Sequence, residues 1–149
     1  MPSQEYVFTI HLPIDVVWKF MNDRMMVSKL FPGCREVKLL NELDSLWTVS
    51  FSLGPFSRTM ELKGHTTELI KNERVAWTVS HDLVVVSGTA EFRKISEDET
   101  EITYRIEGRV NGPLPIVQDI IVGERLRGLG RTYIQNIKER LEKTAGKET

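Results

Sequence analysis

Residues 113–143 read PLPIVQDIIVGERLRGLGRTYIQNIKERLEK, the one stretch of the chain long enough for a helix of about eight turns. In its second half, apolar side chains recur at intervals of three and four residues and therefore share one helical face. They are Leu126, Leu129, Tyr133, Ile137 and Leu141. Asn111-Gly112-Pro113 interrupts the preceding pattern, and proline suits a first helical turn. The sequence therefore predicts a long C-terminal helix whose apolar face closes on another layer.

The first half of this helix carries a second apolar group, which points away from the first. It consists of Leu114, Val117, Ile120 and Ile121. Two interpretations are open: a break near Gly123 with both halves buried, or an exposed flank at a pocket mouth, a protein partner or a homodimer interface. Gly123 and Gly130 lie on the main apolar face. Their missing side chains indicate either close packing on the other layer or room for a ligand.

The rest of the chain has the period of β-strands. Tyr6, Phe8, Ile10 and Leu12 alternate with more polar residues and predict a first strand, which Pro13 ends. Two short helices follow, and from residue 34 to residue 110 apolar residues recur at every second position, separated by hairpin-length turns. This order predicts an α+β fold: a curved antiparallel sheet of about six or seven strands around the long C-terminal helix, with two short helices after strand 1.

Small residues recur on the apolar face of the predicted sheet, at Gly64, Gly88, Ala90 and Gly108. Glycine permits the bends that curve a sheet around a helix. Missing side chains on a concave face also leave volume unfilled, so a cavity is the second interpretation. The two interpretations are compatible.

Composition limits the classes of function. The chain has 149 residues and a net charge of −1, so we expect one domain over residues 1–144, a frayed tail at 145–149 and no nucleic-acid partner. The single cysteine, Cys34, excludes an intrachain disulfide. The first residues do not resemble a signal peptide, and no apolar run approaches the roughly 18 residues of a membrane span. A cytoplasmic location is expected.

Two segments carry a resemblance to a known family. Residues 13–20, PIDVVWKF, contain a Pro-x-x-x-Val-Trp-x-Phe pattern, and residues 31–34 read FPGC. With the order of elements, they resemble the carbon monoxide dehydrogenase CoxG family of the START/Bet v 1-like superfamily, also called SRPBCC or polyketide cyclase/dehydrase-like. The resemblance covers nearly the whole chain.

The resemblance implies a helix-grip fold with an apolar cavity between helix and sheet. Members of the superfamily mostly bind lipids, sterols, polyketides, quinones or hormones, and some are enzymes. The CoxG family is associated with assembly or membrane attachment of carbon monoxide dehydrogenase. Some relatives attach to membranes through a C-terminal extension, and this chain ends soon after the helix, so anchoring is not expected.

The sequence offers few groups for metal or nucleophilic chemistry. His11, His65 and His81 lie on separate predicted strands without ligand spacing, so no metal site is expected. Cys34 has no recognisable base nearby in sequence and is interpreted as a packed or exposed thiol. We expect no cofactor. General acid–base chemistry needs polar groups inside the cavity, and His81 with Tyr104 is the one pair that we can nominate.

Three functions remain open. The first is non-catalytic binding of a hydrophobic small molecule such as a lipid, quinone or polyketide-like compound. The second is a polyketide cyclase or dehydratase activity using His81 and Tyr104. The third is an accessory role in a carbon monoxide dehydrogenase-like complex, with residues 114–121 as the contact. The predicted ligand-binding residues are Phe51, Met60, Trp77, His81, Phe92, Tyr104, Leu126, Leu129 and Tyr133.

Overall fold

The structure is a computed structural model that describes residues 3–53, 56–82, 84–110 and 116–148. For residues 51–53, 56–58, 110, 116–122, 126 and 144–148 it describes the backbone alone. The elements in chain order are β1 (Ser3–Ile10), α1 (Ile14–Met21), α2 (Arg24–Lys29), β2 (Cys34–Leu39), β3 (Asp44–Leu53), β4 (Phe56–Ile70), β5 (Arg74–Ser80), β6 (Val84–Ser96), β7 (Glu99–Val110) and α3 (Ile116–Glu148).

The described strands form one antiparallel sheet of seven strands, in the order β1-β7-β6-β5-β4-β3-β2. Strands β2 to β7 pair with their neighbours in sequence, and β1 lies at the edge of the sheet beside β7. In that pair, Ser3 lies opposite Glu107 and Ile10 lies opposite Thr100. The predicted fold class is confirmed: a seven-stranded sheet, two short helices after strand 1 and a long C-terminal helix.

The period of two predicts which face of each strand is buried. Along β6, Val84, Val86, Gly88, Ala90 and Phe92 are buried, and the residues between them are more exposed. The predicted turn between β4 and β5 is also present, with Asn72 at a φ of 61°. Asparagine tolerates this left-handed conformation because its short side chain can bond to nearby backbone.

Helix α3 runs through Gly123 without interruption. Of the two interpretations, the break near Gly123 is therefore wrong, and the helix ends at Glu148 rather than near Lys143. Gly130 does lie against the sheet, because a Cβ there would meet Gln4 Oε1 at 2.7 Å and Ile106 Cγ2 at 3.7 Å. The predicted contact flank Leu114, Val117, Ile120 and Ile121 lies outside the described side chains.

Much of the apolar face of α3 is sealed against the rest of the protein. Tyr133, Ile137 and Leu141 are at most 1% exposed. They belong to the same buried cluster as Ile10 of β1 and Ile102 of β7. No described helix is long and apolar enough to cross a membrane.

Candidate functional site

Two tryptophan side chains cover the small residues on the inner face of the sheet. Trp77 lies directly opposite Gly88, and a Cβ at Gly88 would collide with the Trp77 ring. A Cβ at Gly64 would lie 2.5 Å from Ser45 Oγ and 2.9 Å from Trp47 Nε1. The volume that these glycines leave is therefore occupied by neighbouring side chains. At Gly88 this corrects the expectation of unfilled volume, whereas Gly64 also lines a cavity.

Five aromatic rings fill the centre of the space between α3 and the sheet, and we call them the aromatic cluster. They are Phe31, Trp47, Trp77, Tyr104 and Tyr133. Tyr133 connects the cluster, with ring centroids 5.2 Å from Phe31, 6.0 Å from Trp77 and 5.9 Å from Tyr104. Trp47 lies 5.7 Å from Trp77 and 6.0 Å from Phe31. The edge-to-face and tilted orientations suit the charge distribution of aromatic rings.

Three polar groups of this cluster bond to one another inside the apolar interior. Trp77 Nε1 donates to the Tyr104 hydroxyl at 2.8 Å, and the hydroxyls of Tyr104 and Tyr133 are hydrogen-bonded. Burial raises the pKa of Tyr104 to about 12, against the lowering effect of its hydrogen bonds to Trp77 and Tyr133. Burial also raises the pKa of Tyr133 well above its ordinary value. Both phenols therefore stay neutral near pH 7 and act as hydrogen-bonding groups.

Beneath α2 lies a cavity of about 40 Å³, which we call the α2 cavity. Its apolar walls include Met21, Val27, Trp47, Val75, Trp77 and Val79, and Tyr133 closes one side. Ser28 and Ser45 add buried hydroxyls. A water needs roughly 10–15 Å³ of such volume, whereas sites for drug-sized ligands measure roughly 300–1,000 Å³. As it stands, the α2 cavity has room for about three water-sized groups.

The outer rim of the α2 cavity is polar. Arg24 and His65 both line the cavity. Arg24 donates to the backbone carbonyl oxygens of Asn41 and Asp44, which ties α2 to the loop between β2 and β3. His65 Nδ1 lies 2.7 Å from Asp44 Oδ1. The hydrogen bonds from His65 and Asn41 lower the pKa of Asp44.

Two further openings flank α3. A crevice of about 10 Å³ between α3 and the sheet is lined by Gln4, Phe31, Val86, Ile106, Gly108, Arg127, Leu129 and Gly130. An open groove of about 470 Å³ on the outside is lined by Pro32, Gly33, Ser50, Glu124, Arg125, Gly128, Leu129 and Thr132. Leu129 borders both, so its side chain stands between the inner crevice and the outer groove.

The predicted ligand-binding residues fall into separate groups. Trp77 and Tyr133 line the α2 cavity, and Leu129 lines the crevice and the outer groove. Tyr104 does not line the α2 cavity, but its hydroxyl is hydrogen-bonded to Trp77 and Tyr133, which do. The others lie as follows: Met60 and Phe92 in the buried core, with Phe92 against Trp18 at 6.0 Å, and Phe51 and Leu126 outside the described side chains.

His81 and Tyr104 do not come together. Tyr104 lies opposite Ala90, which lies opposite Val75, so Tyr104 shares a level with Val75. His81 lies six positions past Val75, about 20 Å along an extended strand. The register therefore places the two nominated residues six positions apart along the sheet.

Some lining residues were not nominated from the sequence. Ser28 of α2 lies three residues before the buried Phe31, and Ser45 of β3 has the same phase as Trp47, so the spacing of apolar residues indicated that both are buried. Cys34 is half-buried, and burial raises the pKa of its thiol. Among the described residues, no group of three or more His, Cys, Asp or Glu side chains could hold a metal ion.

The sheet wrapped around a long C-terminal helix defines a helix-grip protein of the SRPBCC, or START-like, superfamily. The model of the carbon monoxide dehydrogenase CoxG family matches residues 7–142. The chain therefore belongs to the CoxG family, as the PIDVVWKF and FPGC segments indicated. No curated protein sequence matches the chain significantly.

Solved structures show the same fold at low sequence identity. A conserved protein from Geobacillus kaustophilus has a TM-score of 0.76 and 16% identity over 95% of this chain and 96% of its own. The aromatase/cyclase ZhuI from Streptomyces sp. R1128 has a TM-score of 0.72 and 12% identity over 96% and 94%. A START superfamily protein from Mycobacterium smegmatis has a TM-score of 0.69 and 11% identity, over 95% of this chain and 98% of its own. At these identities the similarity establishes the fold alone.

Proposed function

We propose that this protein binds a hydrophobic small molecule between α3 and the inner face of the sheet, without transforming it. One observation carries the proposal: an apolar cavity meets the aromatic cluster at Trp77 and Tyr133, where buried polar groups converge. Ligand sites in proteins combine mostly apolar walls with a few convergent polar groups. The superfamily fold supports the same interpretation.

Binding a whole ligand requires the aromatic cluster to open. The contacts between Phe31, Tyr133 and Trp77 lie between the α2 cavity and the crevice under α3. A change of rotamer at Trp77 or Phe31 would join the two spaces. The empty protein is then the closed state, and the cost of opening reduces the apparent affinity.

The chemistry of the described interior favours binding over turnover. A general base must titrate near the working pH and reach the reacting proton. Tyr104 and Tyr133 are neutral phenols with raised pKa values, and His81 lies about 20 Å along the strand from the level of Tyr104. Within the described residues, these groups supply hydrogen bonds but no acid–base pair.

Intrinsic fluorescence and thermal unfolding test the proposal. Because Trp47 and Trp77 belong to the aromatic cluster, a bound apolar molecule should change the tryptophan emission and raise the melting temperature. The variant Trp77→Phe reduces the volume that blocks the space, so we expect it to bind an apolar probe about three- to tenfold more tightly than wild type.

Trp18→Phe is the matched control, because Trp18 packs on Phe92 and lines none of the cavities above. It should leave the affinity unchanged. Equal effects of the two substitutions, or no response of the wild-type protein to any apolar probe, would contradict the proposal.

The family match supports a second proposal, an accessory role beside a carbon monoxide dehydrogenase. The contact would be the apolar flank of α3 predicted from Leu114, Val117, Ile120 and Ile121. Charged substitutions at Ile120 and Ile121 should then abolish co-purification with a carbon monoxide dehydrogenase from the same organism, while the unfolding midpoint is retained. Purification of the wild-type protein as a monomer without that enzyme would argue against this role.

A further inference from the structure

We infer that the α2 cavity receives a carboxylate, so that the bound molecule is an amphiphile with an anionic head and an apolar tail. This inference rests on the proposed function and specifies the ligand for the same site. It follows from the donors, the volume and the charge of the α2 cavity.

The buried hydroxyls that line the α2 cavity have protons to donate. Ser28 and Ser45 are 6% and 7% exposed, and both line the cavity. The Ser28 hydroxyl carries one proton that it can donate. Ser45 Oγ accepts from Trp47 Nε1 at 3.0 Å, which leaves its own proton available.

The tyrosine hydroxyls add another donor. Trp77, Tyr104 and Tyr133 bring three polar hydrogens to two mutual hydrogen bonds, and the indole N–H can only donate. One phenolic proton is therefore left without an acceptor among these three groups. A group that only accepts hydrogen bonds would satisfy this surplus, whereas an ammonium would add to it.

The volume of the α2 cavity matches a small head group. About 40 Å³ holds about three water-sized groups, which is also the number of heavy atoms in a carboxyl group. The apolar walls at Trp77 and Val79 would meet the first carbons of the tail. The tail would then continue past Tyr133 once the aromatic cluster opens.

The charge at the rim favours an anion. Arg24 lines the α2 cavity and donates hydrogen bonds to backbone carbonyl oxygens, while its charge also acts on the nearby Asp44 carboxylate. The carboxylate of Asp44 faces His65 and Asn41, and the residues lining the cavity include no acidic side chain. A carboxylate near a guanidinium makes stronger hydrogen bonds than a neutral acceptor does.

Four ligands with the same alkyl chain separate the head groups: dodecanoate, methyl dodecanoate, dodecanol and dodecylammonium. Affinities are measured by tryptophan fluorescence below the critical micelle concentrations. We expect dodecanoate to bind about tenfold more tightly than the ester and the alcohol, and dodecylammonium to bind most weakly.

Variants of the lining residues then locate the head group. Ser28→Ala and Arg24→Gln should each weaken dodecanoate binding by about five- to tenfold and leave dodecanol binding unchanged. Ser50→Ala is the matched control, because Ser50 lines the outer groove. Thermal unfolding confirms that each variant is folded.

The outcomes distinguish this inference from the proposed function. Equal affinities for the four ligands, or unchanged dodecanoate binding in both Ser28→Ala and Arg24→Gln, would overturn the inference and leave the proposed function intact. The first of these results would mean that water fills the α2 cavity while the ligand lies elsewhere in the interior. Binding of none of the four would overturn both.

Discussion

Two regions of the interior differ in how completely they are packed. The region that we call the sealed core contains Ile10, Ile102, Ile137 and Leu141, which are 0–1% exposed and line none of the cavities described above. The region beneath α2 has a cavity, buried hydroxyls and a half-buried Trp77. A void reduces stability because the side chains that line it lose packing contacts.

The difference separates the part of the fold that stabilises it from the part that can accept a guest. Side chains of the sealed core are almost fully buried, and protein interiors are close-packed, so an added group has no space there. Beneath α2 the protein retains space that is lined by hydroxyl groups as well as apolar side chains. Substitutions in the sealed core should therefore change stability, and substitutions beneath α2 should change ligand binding.

The largest expected effect is in the sealed core. Leu141→Ala should lower the free energy of unfolding by about 2–5 kcal/mol, because it deletes buried methyl groups and leaves a void. Leu40, which is 51% exposed, provides the matched control, and Leu40→Ala should change it by less than about 0.5 kcal/mol. Urea unfolding measures both. A Leu141→Ala protein as stable as the control would remove the distinction between the two regions.

The next effect appears at alkaline pH. The pKa of Tyr104 is raised from 10.0 to about 12 in the folded protein, so the folded state holds this proton more tightly than the unfolded state does. This contribution, up to about 3 kcal/mol, is present below pH 10 and is lost as the pH rises toward 12. Tyr104→Phe should flatten the decline of stability in this range. Parallel profiles of the two proteins would contradict this origin.

A smaller effect is expected at the glycine beneath Trp77. Gly88→Ala should destabilise the protein by about 1–3 kcal/mol, because its Cβ displaces the indole ring, and the tryptophan emission should shift.

The substitution Gly128→Ala should instead stabilise the protein, because nothing described lies within 4 Å of the added Cβ and alanine favours the helix by up to about 1 kcal/mol. Thermal unfolding of the two variants measures both changes in stability. A lower melting temperature for Gly128→Ala, with that of Gly88→Ala unchanged, would contradict both predictions.

The sequence predicted the fold well because the spacing of apolar residues indicates which face of a helix or strand is buried. Alternation along β6 and the spacing of Tyr133, Ile137 and Leu141 gave the correct buried sides. The turn at Asn72 was predictable from the conformational preference of asparagine. The element order and the FPGC segment indicated the family.

The candidate site was less predictable because it depends on register rather than on phase. His81 and Tyr104 share an inward phase, but phase says nothing about position along neighbouring strands. Likewise, Gly88 suggested empty space until the pairing placed Trp77 opposite it. Which side chain fills a gap is decided by contacts between residues distant in sequence.

The pairing of β1 with β7 has a consequence for synthesis of the chain. Ser3 pairs with Glu107 in the sheet, so β1 has no neighbouring strand until residues 100–107 have left the ribosome. Until then, β1 and its apolar residues remain an unpaired edge that is prone to aggregate. A chaperone that shields residues 3–10 during translation would therefore raise the yield of folded protein more than one that acts after release.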